Sequence, residues 1–322
     1  MSHSSANPAR LRVGVVGVGS LGEHHARLYA ELPEAELVGV FDARPERARE
    51  IAAKYRTTAF DDLDRLAASV EALSVVVPTD LHHAVARRLL EAGRHLLIEK
   101  PIAATLAEAE DLVALAARRG AVLQVGHIER FNPALAALDP FAGPPRYIEA
   151  RRLAPYPPPR PGGLRPRGTE VSVVLDLMIH DLDLILNLVR APVVEVRAAG
   201  VAMLSPTEDF VNARLAFANG AVANVTASRL SPERARLLTV FYPEACVALD
   251  LMRQAAVVHR PAAAGLESAE APIERQEPLR RELAAFLRCV RNRTPPEVDG
   301  AAALNALRLS FDILRQVADA RA

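Results

Sequence analysis

The chain of 322 residues has no tryptophan, only two cysteines and no excess of either charge, since Lys+Arg and Asp+Glu both number 39. Each shortage excludes something. Zero net charge removes the attraction on which nucleic-acid binding depends, and without tryptophan or a stacking motif the chain offers little to unstacked bases. Cys246 and Cys289 lie far apart and match no metal spacing. No metal and no disulfide framework are therefore expected, and a cytoplasmic location is. No stretch of about 18 apolar residues exists to cross a membrane. Residues 1–10 are small and polar and read as a disordered tail, not as a signal peptide. What remains is 50% apolar and 24% charged. That is the composition of a globular protein able to bury a core, and the length suits two domains.

The most informative segment is Val13-Gly14-Val15-Val16-Gly17-Val18-Gly19-Ser20-Leu21-Gly22. An apolar run ends in G-x-G-x-x-G and leads into a helical pattern. Such glycines allow a tight turn, close backbone approach to a pyrophosphate and close helix packing. The helix that follows presents its N–H groups and positive dipole end to the phosphates. A second apolar run, Leu37 to Phe41, ends in Asp42, twenty residues after Gly22. A carboxylate there accepts hydrogen bonds from adenosine ribose hydroxyls and repels a 2′-phosphate, which favours NAD over NADP. Arg44 is the counter-signal, because a nearby arginine can hold that phosphate.

Short β-branched runs at 12–17, 37–41, 72–77, 95–98 and 122–125 read as buried parallel strands. Helical patterns alternate with them at 24–32, 45–54, 81–92 and 106–118. Pro45 suits a helix start, and Thr105 with Glu108 has capping-box spacing. The expected fold is α/β, with an N-terminal Rossmann doubly wound parallel sheet. After Phe131 the pattern changes. Residues 155–168 are proline-rich and read as a loop. An apolar helix is expected over 173–189, then alternating segments at 194–201, 209–217, 221–229, 237–242, 245–251 and 255–258. Asn219-Gly220 signals a hairpin. Helices at 278–291 and 301–320 close the chain. The second domain is therefore expected to be α/β with a mostly antiparallel open sheet. The boundaries are 1–127 and 128–322, with the C-terminal helix able to pack back on the first domain.

Two further features carry chemistry. In the helix at 173–189, Asp176, His180, Asp183 and Asn187 fall at i, i+4, i+7 and i+11 and share one face of an otherwise apolar surface. Glu99-Lys100-Pro101 follows a strand, and ligands in open α/β sheets sit outside strand carboxyl ends.

The glycine motif, Pro78-Thr79-Asp80-Leu81-His82, Glu99-Lys100-Pro101 and Asp176-x-x-x-His180 occur in that order. This arrangement resembles the glucose–fructose oxidoreductase and inositol dehydrogenase (Gfo/Idh/MocA) family of NAD(P)-dependent sugar dehydrogenases. The resemblance implies catalytic roles for Lys100, Asp176 and His180. It implies cofactor contacts from Gly17, Gly19, Ser20, Leu21, Gly22, Asp42, Pro78, Thr79, His82, Glu99, Lys100 and His127. It also implies a homodimer or homotetramer formed through the exposed sheet face of the second domain. Many relatives carry a glycine-rich stretch before D-x-x-x-H, where this chain has Gly168-Thr169-Glu170-Val171-Ser172.

Three phrases narrow the resemblance: 125–133 (V-G-H-I-E-R-F-N-P), 176–181 (D-L-M-I-H-D) and 223–229 (A-N-V-T-A-S-R). They look like the branch that oxidises the 3-hydroxyl of UDP-N-acetylglucosamine to a ketone for lipid A, with an aminotransferase as pathway partner. A diphosphate substrate calls for arginine forks. Arg130, Arg152 and Arg229 are the expected substrate contacts beside Lys100 and His180, with Arg160, Arg165 and Arg167 also available. His180, oriented by Asp176, is the candidate base, and Lys100 would stabilise the developing alkoxide. Which of the two takes the proton is left open by sequence. The rival readings are another cyclitol or sugar dehydrogenase, a relative acting on an imine or tetrapyrrole, and a dinucleotide sensor without catalysis.

Overall fold

The apolar run before the glycines forms β1 (Leu11–Val16) in the computed structural model, which describes residues 10–141, 143–159 and 168–320. Around β1 stand β2 (Ala35–Phe41), β3 (Thr58–Ala59), β4 (Ala72–Val75), β5 (His95–Glu99) and β6 (Leu123–Gly126), in the order β3-β2-β1-β4-β5-β6. Every pairing in this sheet is parallel. Its crossovers are α1 (Ser20–Glu31), α2 (Pro45–Tyr55), α3 (Leu63–Ser69), α4 (Thr79–Glu91) and α5 (Leu106–Arg119). Helices on both faces explain why β4, β5 and β6 are buried at every residue and read as continuous apolar runs. The local signals hold. Pro45 opens α2, and Thr105 and Glu108 make both bonds of the capping box. The short strand β3 and helix α3 carry no strong periodicity and add to the elements that the sequence pattern predicts.

A second sheet runs in the order β14-β13-β12-β11-β7-β10-β9-β8. Its strands are β7 (Tyr147–Leu153), β8 (Val193–Val201), β9 (Phe210–Phe217), β10 (Val222–Ser228), β11 (Ala235–Phe241), β12 (Cys246–Asp250), β13 (Ala255–Ala262) and β14 (Gly265–Glu270). Only the β7–β10 pairing is parallel. Asn219-Gly220 turns the β9–β10 hairpin as its dipeptide predicts. The inward residues Val211, Ala213, Leu215, Ala223, Val225, Leu238 and Val240 form a core with Met178, Leu182 and Ile185 of the helical segment at 174–189.

The chain divides into two units, one of residues up to His127 with Glu277–Leu304, the other of Ile128–Gln276 with the residues from Asn305 on. Helix α7 (Pro278–Asn292) lies wholly in the first unit and packs on α1, while α8 (Gly300–Asp319) begins in the first and ends in the second. A strongly two-faced helix such as α7 does not announce which sheet it covers. Residues 154–159 adopt neither helix nor strand. The rest of the expected loop to residue 167, and the expected tail at 1–9, lie outside the described residues.

Candidate active site

The first unit builds a dinucleotide cradle. The parallel sheet reverses its winding between β1 and β4, and the loops leaving those two strands flank the switch point. After β1 comes Gly17, at φ +84°, where a Cβ would stand 2.6 Å from the Val76 carbonyl oxygen. A Cβ on Gly22 would stand 1.9 Å from the Gly17 carbonyl oxygen. These two glycines are therefore required by crowding. Gly19 is different, for nothing lies within 4 Å of its Cβ position. Gly19 is also the N-cap of α1, and no side chain caps it there. Ser20 and Leu21 begin the helix at that open end. After β4 come Pro78 and Thr79, the N-cap and first residue of α4. Asp42 follows β2, and its carboxylate accepts hydrogen bonds from the backbone N–H groups of Val18 and Arg44, each at 2.9 Å. The exposed Arg44 guanidinium stands 3.5 Å from the same carboxylate. An open helix N-terminus beside a seated carboxylate fits a pyrophosphate and an adenosine ribose.

Lys100 follows β5. The chain has one other lysine, Lys54, which pairs with Glu23 at the surface. The residues beneath Lys100 form a buried chain of polar contacts. Glu99 Oε2 accepts the Lys100 backbone N–H at 3.2 Å, and Glu99 Oε1 meets His25 Nε2 at 3.2 Å. His25 Nδ1 meets Ser74 Oγ at 3.1 Å, and Ser74 Oγ meets Tyr29 Oη at 2.9 Å. An ionised Glu99 can only accept, so His25 donates to it from Nε2. Burial pushes the Glu99 carboxyl up, but the bond and charge of His25 and the charge of Lys100 outweigh it and hold it below the usual range. Glu282 of α7 behaves oppositely. It is fully buried, and among the described residues neither of its carboxyl oxygens has a hydrogen-bond partner. Burial, reinforced by the charge of Glu99, holds its carboxyl well above the usual range.

His82, expected to touch the cofactor, is 1% exposed. Its ring sits between the carbonyl oxygens of Pro101 at 2.8 Å and Val77 at 2.9 Å, linking the loops after β5 and β4. Burial lowers its pKa against the pull of those carbonyls. His127 is buried at the end of β6.

In the second unit the predicted helix over 173–189 is two structures. Val174–Met178 is a π turn, and the α-helix α6 spans Ile179–Val189. Asp176 lies in the wider turn, so Asp176 and His180 do not have α-helical i, i+4 spacing. His180, Asp183 and Asn187 do keep one α-helical face. Asp176 and His180 are half-buried, and Asp183 is buried. Single π turns inside helices recur at functional sites. Gly168, at φ +85°, approaches Asp176 so closely that a Cβ would fall 2.7 Å from Asp176 Oδ2.

The arginines expected to meet a diphosphate are engaged inside the protein. Arg152 is 3% exposed and forks Asp181 at 2.9 and 2.8 Å while reaching Glu129 at 2.9 Å. Glu129 also receives Arg236 at 3.0 Å and Asn132 at 3.0 Å. Burial raises the Glu129 carboxyl, yet the charges of Arg152 and Arg236 hold it below the usual range. Arg130 donates to Asp183 at 2.8 Å. The short turn at Ile128–Phe131 therefore grips α6 twice, through Asp183 directly and through Arg152 to Asp181, on either side of Leu182. Arg229 donates to the carbonyls of Gly168, Val171 and Glu208 and stands 3.5 Å from Asp209. It pins the segment that leads into Asp176. These three residues position the helix and its approach. Arg160, Arg165 and Arg167 lie outside the described residues. Sequence reasoning missed Glu129, His25, Glu282 and Asp209; the pairings of Glu129 with Arg152, His25 with Glu99 and Asp209 with Arg229 span 20 or more residues and leave no local spacing signal.

The chain matches the model of an oxidoreductase family with an NAD-binding Rossmann fold over residues 11–127, and that of the GFO/IDH/MocA C-terminal domain over residues 141–246. It is 39% identical over 310 residues to UDP-N-acetylglucosamine 3-dehydrogenase of Acidithiobacillus ferrooxidans, spanning 94% of this chain and 96% of that one. A solved structure of UDP-N-acetylglucosamine 3-dehydrogenase from the same organism superposes with a TM-score of 0.90 at 38% identity, covering 96% and 98% of the two chains. Myo-inositol 2-dehydrogenase of Thermotoga maritima is 25% identical over 329 residues, 97% of each chain. With the nucleotide cradle and both domain models in agreement, the chain belongs to the Gfo/Idh/MocA family of NAD-binding oxidoreductases.

Proposed function

We propose that the protein oxidises the 3-hydroxyl of UDP-N-acetylglucosamine to the ketone with NAD as acceptor. The observation that carries this reading is the near end-to-end likeness to a UDP-N-acetylglucosamine 3-dehydrogenase. NAD is favoured over NADP because Asp42 presents a carboxylate at the end of β2, supported by the Val18 N–H. Bound NAD supplies the hydride acceptor. His180 takes the hydroxyl proton, Asp176 orients it, and Lys100 stabilises the developing alkoxide. Glu99 and His25 hold the backbone from which Lys100 projects. A 3-keto sugar nucleotide is a substrate for an aminotransferase, the proposed pathway partner. The cytoplasm is the proposed compartment, in keeping with two free cysteines. The sheet face carrying Leu237 and Phe241, both more than a third exposed, is the proposed oligomer interface, read by sedimentation.

The test follows formation of the keto sugar by mass spectrometry from UDP-sugars, free sugars and cyclitols, with 2-oxoglutarate present to recycle retained NADH to NAD. Turnover of UDP-N-acetylglucosamine is expected. Turnover of myo-inositol or glucose alone would overturn the substrate, and tighter binding of NADP than NAD would overturn the cofactor. Lys100→Met and His180→Ala should each lower turnover by roughly 10²-fold or more, and His180→Ala should leave NAD affinity intact. Asp176→Ala should cost less and shift the pH profile. Near-normal turnover by His180→Ala would remove it from the mechanism.

A further inference from the structure

We propose that a cleft at the amino ends of β1 and β5 binds a compact phosphate-bearing polyanion, at a site separate from the nucleotide cradle. The cleft has a volume of about 320 Å³ and lies within the first unit. Arg10, Arg94, Arg291 and Arg293 line it, together with His95 and a single acid, Glu71. The guanidinium groups of Arg10, Arg94 and Arg293 thus share one carboxylate among the lining residues, while Arg291 also donates to the Glu34 carbonyl oxygen at 3.4 Å. Among the described residues no carboxylate forms an ion pair with Arg10, Arg94 or Arg293.

Two features make this more than a group of solvated arginines. Arg94 is anchored without being neutralised, for it donates to the carbonyl oxygens of Val70 at 2.7 Å and Ala92 at 3.0 Å. Its charge is held in place and left uncompensated. His95 is only 6% exposed. Its Nδ1 accepts the Val122 backbone N–H at 2.9 Å, which puts the proton of the neutral ring on Nε2. That Nε2–H donates to no described residue, and His95 lines the cleft. A buried, oriented donor beside an anchored guanidinium is the chemistry that holds phosphate oxygens. The volume suits one or two phosphate groups with a small substituent. The cradle's glycines and Lys100 follow the carboxyl ends of these same strands, roughly 15 Å away along the sheet.

The electrostatics run the same way. Burial lowers the His95 pKa, and the charges of Arg293 and Arg94 lower it further, against the opposing pull of Glu71. Arg10 and Arg291 add positive charge from the remaining walls. A bound anion reverses that balance and raises the His95 pKa, so binding tightens as pH falls toward the range where the ring protonates.

The experiment uses full-length protein saturated with NAD, so that the cradle is filled, at fixed ionic strength. Calorimetry with inorganic pyrophosphate is expected to show one binding event. Arg293→Gln, which removes an exposed guanidinium without touching the core, should weaken it by roughly 10-fold or more. Arg94→Gln should do the same, with NAD affinity unchanged in both. The His95 ring resonances should titrate at higher pH with pyrophosphate bound. Heats equal to those of a sodium chloride control, equal affinity in wild type and Arg293→Gln, or an unmoved His95 titration would each overturn the proposal. Because the readout is binding, failure here is distinct from failure of the dehydrogenase assignment.

Discussion

Glu282 should be a liability at neutral pH, and its removal should show how large. In the folded protein its carboxyl is held well above 4.5 by burial and by the charge of Glu99. In the unfolded chain it titrates near 4.5. Below that value both states are protonated and the group contributes its full stability. As pH rises past it, the unfolded chain releases a proton that the fold retains. Stability then falls by about 1.4 kcal/mol per pH unit until the folded pKa is passed. Glu282→Gln keeps the shape of the protonated acid and removes the titration. The variant should equal wild type near pH 4 and exceed it progressively above pH 5. While the folded carboxyl stays protonated, two pH units correspond to about 2.7 kcal/mol. Urea unfolding at a series of pH values measures the difference, which cancels every group shared by the two proteins. A difference that stays flat between pH 5 and 7, or a variant weaker than wild type at pH 7, would show that Glu282 is ionised or partnered in the fold.

Gly22→Ala places a methyl 1.9 Å from the Gly17 carbonyl oxygen, so the loop must shift. NAD affinity should fall and stability should drop by about 1–3 kcal/mol, and unchanged values in titration and melting would refute the close packing. Arg152→Leu leaves Glu129 and Asp181 buried without their shared cation and should cost about 3–5 kcal/mol in urea unfolding. Adding Glu129→Gln and Asp181→Asn should recover much of the loss. No recovery would mean that packing and not charge is the cause.

Where an element is specified by neighbours in the chain, the sequence by itself determined it. The glycines after β1, the capping box of Thr105, Pro45 at the start of α2 and the Asn219-Gly220 turn all act over a few residues. Their effects on backbone sterics and hydrogen bonding are local enough to read directly. The parallel sheet followed from alternation, because strands joined by helical crossovers have both faces covered. Only the tertiary structure decided the rest, because the deciding interactions join residues far apart. The polar face of the apolar helix was legible as a face, but the π turn at Val174–Met178 alters the spacing of Asp176 and His180, and no periodicity encodes it. The arginines read as free cations because the acids that pair with them lie 20 or more residues away in the chain. Asp181, Asp183 and Asp209 reach them only once strands and helices are packed. Helix α7 was visible as amphipathic, yet its return to the first unit, which seats Glu282 close to Glu99, depended on which sheet its apolar face would cover. A one-dimensional pattern records that a face will be buried; its partner emerges when the chain folds.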